Sequence, residues 1–281
     1  MRGEAPSQHD FDHVYTHQLY AGFGHKQFGE LTYGNMVTIT DEVKQSDLAN
    51  TYSLTDGLLE TSARRVTQYV YNGDYGSNKV KFGAYYGGSS KRNIKNVDLK
   101  NNRKNTWGTG LIFNHEIDSI QNVTVAAGFT RQISENANKT AYYSNAYALG
   151  LAYNFVHTTY GLDLAHKDTK NKGGAGNKVK NNEVTAVIRQ GLNEDWNVYA
   201  MYSYKTEKTL PVGSAYSKST DRQFLVGTEY YVFKQGSVKV KPFIEWQATR
   251  TKYENTFDKD SGKQLDRSRD FKTVIGLRAY W

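Results

Sequence analysis

Apolar and polar residues alternate along most of the chain. In DFKTVIGLRAYW (270–281), every second residue from Trp281 back to Phe271 is apolar except Thr273, and the residues between them are mostly small or charged. Successive side chains of a strand point to opposite faces, so this segment predicts a strand with one apolar and one polar face. The pattern favours antiparallel sheet over helix, and it recurs in SNAYALGLAYNF (144–155), QFLVGTEYYV (223–232) and SVKVKPFIEWQA (237–248).

The connections between these segments form a second pattern. We count 13 predicted strands, joined alternately by short turns and by long polar stretches. This places all tight turns at one end of the sheet, as in an outer-membrane barrel, whereas a Greek-key sandwich mixes the two lengths. The long stretches are predicted at about residues 36–62, 88–105, 131–141, 167–181, 205–221 and 249–270.

Composition narrows the fold class further. The 281 residues include no cysteine, which excludes disulfides and thiolate metal sites, and they include 22 tyrosines, 12 phenylalanines and four tryptophans. Aromatic residues favour strands and concentrate where proteins cross a membrane–water boundary. No run of 18 apolar residues predicts a transmembrane helix. The sequence therefore predicts a transmembrane all-β protein, an antiparallel up-and-down barrel in one domain over 1–281, with a soluble sandwich as the alternative.

Specific segments carry a family resemblance. LYAGFGHKQFGELTYGN (19–35), a long polar segment, ARRVTQYVYNG (63–73) and the terminal aromatic Trp281 together resemble the general porins of the Gram-negative outer membrane. That resemblance implies a 16-stranded, trimeric diffusion channel whose long third loop folds into the lumen. Against this family pattern the first three strands are absent. We therefore expect an N-terminally truncated or mature chain without a signal peptide, frayed over residues 1–14.

The resemblance also implies where the pore narrows. The constriction loop is expected at 36–63, and its carboxylates are expected to face basic side chains on the opposite wall. Arg65 is preferred over Arg64 as the lumen-facing arginine, because alternation places only one of the two in the lumen. The residues implied for the constriction are Asp41, Glu42, Asp47, Asp56, Glu60, His17, Arg64 and Arg65.

Charges on the polar face predict the sign of ion preference. Alternation places seven basic side chains inside, Lys81, Lys167, Arg189, Lys239, Lys241, Lys272 and Arg278, against four acidic ones, Asp163, Glu183, Glu229 and Glu245. The whole chain carries a formal net charge of +8. A net positive lumen favours anions. We therefore expect passive diffusion of small hydrophilic solutes and ions across the bacterial outer membrane with a mild anion preference.

Other functions are weakly indicated. His13 and His17 would lie about 13 Å apart on a strand, too far for one zinc ion, and no nucleophile elbow indicates an enzyme. Dispersed lysines and arginines do not indicate nucleic-acid binding, and no cofactor is implied. The expected partners are further copies of the chain, membrane lipid, lipopolysaccharide and small solutes. Two alternatives stay open, a surface adhesin or anchor with a plugged lumen and a soluble carbohydrate-binding protein.

Overall fold

The computed structural model describes residues 18–90, 102–136, 139–172, 177–210, 216–256 and 263–281. The predicted frayed segment 1–14 and the constriction residue His17 lie outside these ranges. Within them, the one helical element is a short 3-10 turn, Ile39–Val43. None of the described helices is long and apolar enough to cross a membrane.

The described residues form a single antiparallel sheet of 14 strands in which neighbours along the chain pair in order, except that β11 pairs with β13 rather than with β12. The sequence predicted 13 strands, and the additional one is the three-residue β12, which pairs only with β13. β1 and β14 end the described sheet. The strands are β1 Leu19–His25, β2 Gly29–Val37, β3 Ser62–Tyr75, β4 Asn78–Gly87, β5 Asn102–Asp118, β6 Gln121–Asn136, β7 Lys139–Phe155, β8 Thr158–Asn171, β9 Lys178–Gly191, β10 Trp196–Leu210, β11 Tyr216–Tyr230, β12 Phe233–Gln235, β13 Val238–Thr256 and β14 Lys263–Tyr280.

The predicted long loops are shorter than expected. Strand β6 continues to Asn136 and β7 begins at Lys139, so the predicted loop at 131–141 is mostly strand. The stretches at 167–181, 205–221 and 249–270 are likewise strand for much of their length. Where both faces of a strand are exposed to water, apolar and polar residues no longer alternate, so the sequence does not indicate a strand. The ladder of backbone hydrogen bonds nevertheless continues. The tight turns do lie together at one end of the sheet, here named the short-turn end.

One face of the sheet, the outer face, carries the apolar stripe. Trp281 is 88% exposed, Ile275 79% and Phe271 64%. The sandwich alternative required a second sheet over these side chains, but the described strands form one sheet and leave them uncovered. An apolar outer face on a sheet of this kind is the arrangement of a membrane-spanning barrel, because in lipid the strands must satisfy their backbone groups by pairing with one another.

Aromatic side chains on the outer face form two bands. Near the long-connection end, the rings of Trp107, Phe129 and Tyr147 follow one another with centroids 4.9 and 5.0 Å apart. Near the short-turn end, Tyr153 lies 6.3 Å from Tyr160. Tyr147 and Tyr153 share a strand and are separated by about 20 Å at 3.3 Å per residue. Two aromatic girdles on either side of an apolar band are typical of outer-membrane barrels.

Candidate functional site

The segment between β2 and β3, residues 38–61, lies on the inner face of the sheet and is here called the inner loop. The backbone N–H of Thr38 donates to the carbonyl of Thr61 over 2.9 Å, which closes the loop where it leaves the wall. The hydroxyl groups of Thr38 and Thr40 donate to the carbonyl of Glu60. Because its two ends are joined at one point, the loop runs out along the inner face of the wall and returns to the place where it started.

Apolar contacts hold the inner loop against the wall at three places. Ile39 packs with Val66 and Tyr85 of the wall, and Val43 and Leu59 pack on alanines of β6 and β7. Leu54 is fully buried among Val187, Tyr199, Met201 and Leu225. Burial of an aliphatic side chain of this size stabilises the docked loop by about 1.5–3 kcal/mol. The inner face is therefore apolar beneath the loop, whereas alternation alone predicted a polar face of mostly small or charged residues.

Glycines on the inner face allow the loop backbone to approach the strands. A Cβ at Gly150 would lie 2.1 Å from the carbonyl oxygen of Val43, and one at Gly161 would lie 2.5 Å from that of Gln45. Gly83, Gly110 and Gly128 stand side by side in the ladder and lie beneath Ile39, Val43 and Leu59. A run of glycines at inward positions of successive strands is the sequence signal that would have predicted this contact.

Replacing Gly150 by alanine is expected to loosen the middle of the inner loop. The new methyl group meets a backbone oxygen, so the loop must shift, at a cost of about 1–3 kcal/mol. Limited trypsin digestion in detergent should then cleave after Lys44 faster than in the parent protein. Gly88→Ala is the matched control, because a Cβ there meets no atom within 4 Å. Equal cleavage rates in the two variants would contradict the contact.

Three carboxylates of the wall bind the loop backbone and are here called the anchor carboxylates. Asp163 accepts the amides of Gln45 and Ser46, each over 2.8 Å. Glu183 accepts the amides of residues 56 and 57 over 2.8 and 3.1 Å. Glu245, which has no exposed surface, accepts those of residues 50, 51 and 52 over 2.5–3.0 Å. Alternation correctly placed all three side chains inside, but there they hold the loop rather than face water.

A fourth carboxylate organises a group of cations near the short-turn end. Glu229 is buried and receives hydrogen bonds from Arg189 and Lys241 and from the side-chain amide of Asn50. The Lys241 ammonium lies over the rings of Tyr231 and Tyr280 at 5.4 and 5.7 Å. Arg278 donates to the carbonyl of Asn50 over 2.5 Å. Lys239 lies on the same inner face, in register with Tyr280. We call Arg189, Lys239, Lys241 and Arg278 the basic cluster.

The loop carboxylates named from the sequence all have lysine partners. Glu42 pairs with Lys81 over 2.5 Å, Asp56 with Lys205 over 2.6 Å and Glu60 with Lys167 over 3.2 Å. Lys44, within the loop, pairs with Asp41 over 2.9 Å and with Asp47 over 3.7 Å. The pairs with Lys81, Lys167 and Lys205 join the loop to the wall on which it lies. Lys205 was not predicted, because its strand position fell in a stretch taken for a loop.

Arg64 and Arg65 occupy a β-bulge in β3. Gly34 pairs with Val66 and Met36 with Ala63, so both arginines stand opposite one residue of β2. Arg65 has φ 53°. Strict alternation therefore does not apply here, and the preference for Arg65 over Arg64 rested on a wrong premise. Within the described residues, no ion pair joins either arginine to a loop carboxylate, and their role in a constriction stays a prediction.

Lys272, another predicted wall residue, pairs with Asp270 over 3.0 Å at the open edge of the sheet. It lies on the inward parity of β14, in register with Gln247 of β13. It therefore contributes a locally compensated charge rather than part of the basic cluster.

Comparison with known proteins agrees with this geometry. The sequence profile of the Gram-negative porin family matches residues 4–242. A "Major outer membrane protein" of Pasteurella multocida is 23% identical over 274 residues, covering 95% of this chain and 68% of that protein. OmpT of Vibrio cholerae, folded in vitro and solved in a trimer form, has a TM-score of 0.60 at 15% identity, covering 90% of this chain and 77% of that one.

An anion-selective porin from Comamonas acidovorans has a TM-score of 0.51 at 14% identity, covering 90% of this chain and 74% of that one. These structural likenesses agree in fold with the single antiparallel sheet and its apolar outer face. The chain belongs to the Gram-negative porin family and is a β-barrel protein of the bacterial outer membrane.

Proposed function

We propose that the chain forms a passive channel for small hydrophilic solutes and ions, narrowed by the inner loop. The observation that carries this proposal is the loop itself. Residues 38–61 are fastened along the inner face of a sheet whose outer face is apolar. A loop of this length inside a barrel is uncommon unless it has a function. Its fixed position limits the size of the solutes that pass.

The charges of the site support a mild anion preference. The five loop carboxylates pair with four lysines, of which Lys44 is shared by Asp41 and Asp47, and the anchor carboxylates are covered by loop amides. Arg189 and Lys241 pair with one carboxylate, Glu229, whereas Arg278 donates to the carbonyl of Asn50 and Lys239 is exposed. In a narrow aqueous passage this surplus of positive charge raises the local concentration of anions. The likeness to an anion-selective porin points in the same direction.

We also propose that the protein assembles with copies of itself in a membrane that contains lipopolysaccharide. A solved relative exists in a trimer form, and the apolar outer face offers area for contacts between copies or with lipid. Isologous or cyclic association is the commonest form of oligomer. The proposed channel does not depend on this assembly, because each copy carries its own inner loop.

Single-channel recording tests the function. Protein refolded in detergent and added to a planar bilayer should give discrete current steps that grow with salt concentration. Swelling of liposomes that contain the protein should be fast with small sugars and slow with larger ones. A mock-refolded sample without protein is the control. Insertion without current steps would contradict the channel and favour the anchor with a plugged lumen.

A further inference from the structure

Arg103, at the beginning of β5, reaches across the inner face to the bulge that holds Arg64 and Arg65. Its guanidinium group passes over Gly87 of β4, where a Cβ would lie 3.1 Å from one guanidinium nitrogen. Gly87 pairs with Val66 of β3, whose side chain is buried on the inner face. The missing side chain at Gly87 therefore leaves a path along which Arg103 reaches β3.

The guanidinium group of Arg103 binds two backbone carbonyls on different segments. Its Nη2 group donates to the carbonyl of Arg64 in β3, and its Nε–H donates to that of Gly88 over 3.0 Å. The backbone of Arg103 is held as well, because its carbonyl accepts the N–H of Ser90 over 2.9 Å. A guanidinium group presents its donors in a rigid planar fork, so it serves two acceptors at once, whereas an ammonium group on a flexible stem lacks that geometry.

These contacts complete the hydrogen bonding of the bulge. A bulge leaves backbone groups outside the ladder, and such groups need other partners. The N–H of Arg65 donates to the side-chain oxygen of Asn35 over 3.2 Å, and the carbonyl of Arg64 accepts from Arg103. The left-handed φ of Arg65 is one that an arginine keeps only where its surroundings hold it there. Two side chains from two other strands thus fix the bulge.

The bulge lies where the inner loop rejoins the wall. Thr61, whose carbonyl closes the loop, comes three positions before Arg64, and Val66, directly after the bulge, packs against the loop. Both arginines of the bulge are exposed. Within the ranges that the structure describes, none of Arg64, Arg65 and Arg103 pairs with a carboxylate. Three positive charges therefore stand together beside the passage that the loop narrows.

We propose that Arg103 is a positioning residue of the channel. It holds the bulge, and the bulge keeps the side chains of Arg64 and Arg65 side by side at the edge of the passage, where a fixed pair of charges raises the local concentration of anions. Without Arg103 the carbonyl of Arg64 loses its partner, the backbone of the bulge relaxes and the two side chains spread over more positions. This role rests on the proposed channel and adds to it a residue that sets ion preference through two others.

Arg103→Lys tests this role, because it keeps the charge and removes the fork. In a tenfold gradient of potassium chloride, its anion-to-cation permeability ratio should fall by about 1.5-fold or more. Arg64→Gln, Arg65→Gln should lower the ratio further, and adding Arg103→Lys to that pair should change nothing more, because residues that act through one another are not additive. Arg222→Lys, at an exposed arginine of β11, is the matched control and should leave the ratio unchanged.

Asn35→Ala tests the other support of the bulge without changing any charge. It removes the acceptor of the Arg65 N–H and should lower the permeability ratio in the same direction, so it carries the test if Arg103→Lys does not fold. Two results would overturn the proposal. One is a ratio in Arg103→Lys equal to that of the parent protein. The other is a fall that persists in full when Arg64 and Arg65 are already glutamine, since Arg103 would then act by its own charge.

A spectroscopic measurement separates the failure of this inference from the failure of the channel. The chain has no cysteine, so Ser62→Cys, at an exposed position two residues before the bulge, accepts a single nitroxide label. The electron paramagnetic resonance spectrum of the refolded protein should show faster motion of the label in Arg103→Lys and not in Arg222→Lys. A parent protein without current steps removes the channel, whereas the label still decides whether Arg103 holds the bulge. Current steps with an unchanged spectrum and an unchanged ratio remove the positioning role alone.

Discussion

Changing Glu183 and Glu245 together to glutamine is expected to release the tip of the inner loop and to raise the channel conductance. In the parent protein these two carboxylates accept five backbone amides, those of residues 50, 51, 52, 56 and 57. Glutamine keeps one acceptor oxygen and turns an NH2 group toward N–H donors, which cannot bond to it.

The expected size follows from the burial of these groups. A hydrogen bond to a charged group contributes about 1.5–3 kcal/mol, and leaving its buried donor without a partner adds a desolvation cost. A net loss of about 3 kcal/mol shifts the ratio of docked to released loop by about a hundredfold. The apolar contacts of Leu54 still favour docking, so we expect frequent exchange between two conductance levels rather than permanent opening.

Single-channel recording at fixed voltage measures this exchange as current noise and as a higher mean conductance. Glu116→Gln is the matched control, because Glu116 is an exposed carboxylate of β5 that pairs with Lys79 over 2.6 Å. It removes one carboxylate charge, where the double variant removes two, and it does so without touching the loop. If the current noise and the mean conductance of the double variant equal those of Glu116→Gln, the anchor carboxylates do not hold the loop.

Changing Lys239 and Arg278 to glutamate should move the ion preference toward cations. Both side chains belong to the basic cluster on the inner face, and Lys239 is exposed. Lys241 is unsuitable for this test. It is buried against Glu229, and a carboxylate there would place two like charges together without water.

The reversal potential in a tenfold gradient of potassium chloride reports the change. We expect the anion-to-cation permeability ratio to fall by about twofold or more, because a charged narrow passage concentrates its counter-ions. Lys170→Glu, Lys180→Glu changes the net charge equally on the outer face and should leave the ratio unchanged. A reversal potential that does not move in the inner-face variant would exclude the basic cluster as the source of selectivity.

Much of the wall was predictable, because the alternation of residues within each strand determines which side chains lie on each face of the sheet. The alternation in 270–281 correctly predicted the exposed Trp281, Ile275 and Phe271, and the alternation of connection lengths correctly predicted the neighbour order of the strands. The same reasoning failed where local pattern carries no signal. Strand ends that are polar on both faces, such as 131–136, were predicted to be loop. The bulge at Arg64 and Arg65 shifts the register of β3 against β2, and no pattern in the sequence indicates it.

The candidate site was predictable only in outline. The carboxylates of the 36–63 segment were identified, yet their lysine partners Lys167 and Lys205 come from strands more than 100 residues away. The buried acids were placed on the inner face but counted as free lumen charges. Asp163 and Glu245 instead bind backbone N–H groups. Every residue except proline has such a group, so the sequence does not show which of them the carboxylates bind.

By itself, the sequence determined which side chains face lipid and which face the interior, since the period of two is a property of each strand alone. Only the tertiary structure decided which interior charges remain available to a passing ion. That depends on where the inner loop lies, and its position is set jointly by the glycines beneath Val43, the buried leucine at Leu54 and the carboxylates around Asn50. These contacts join residues that are distant in the chain, so no local pattern records them.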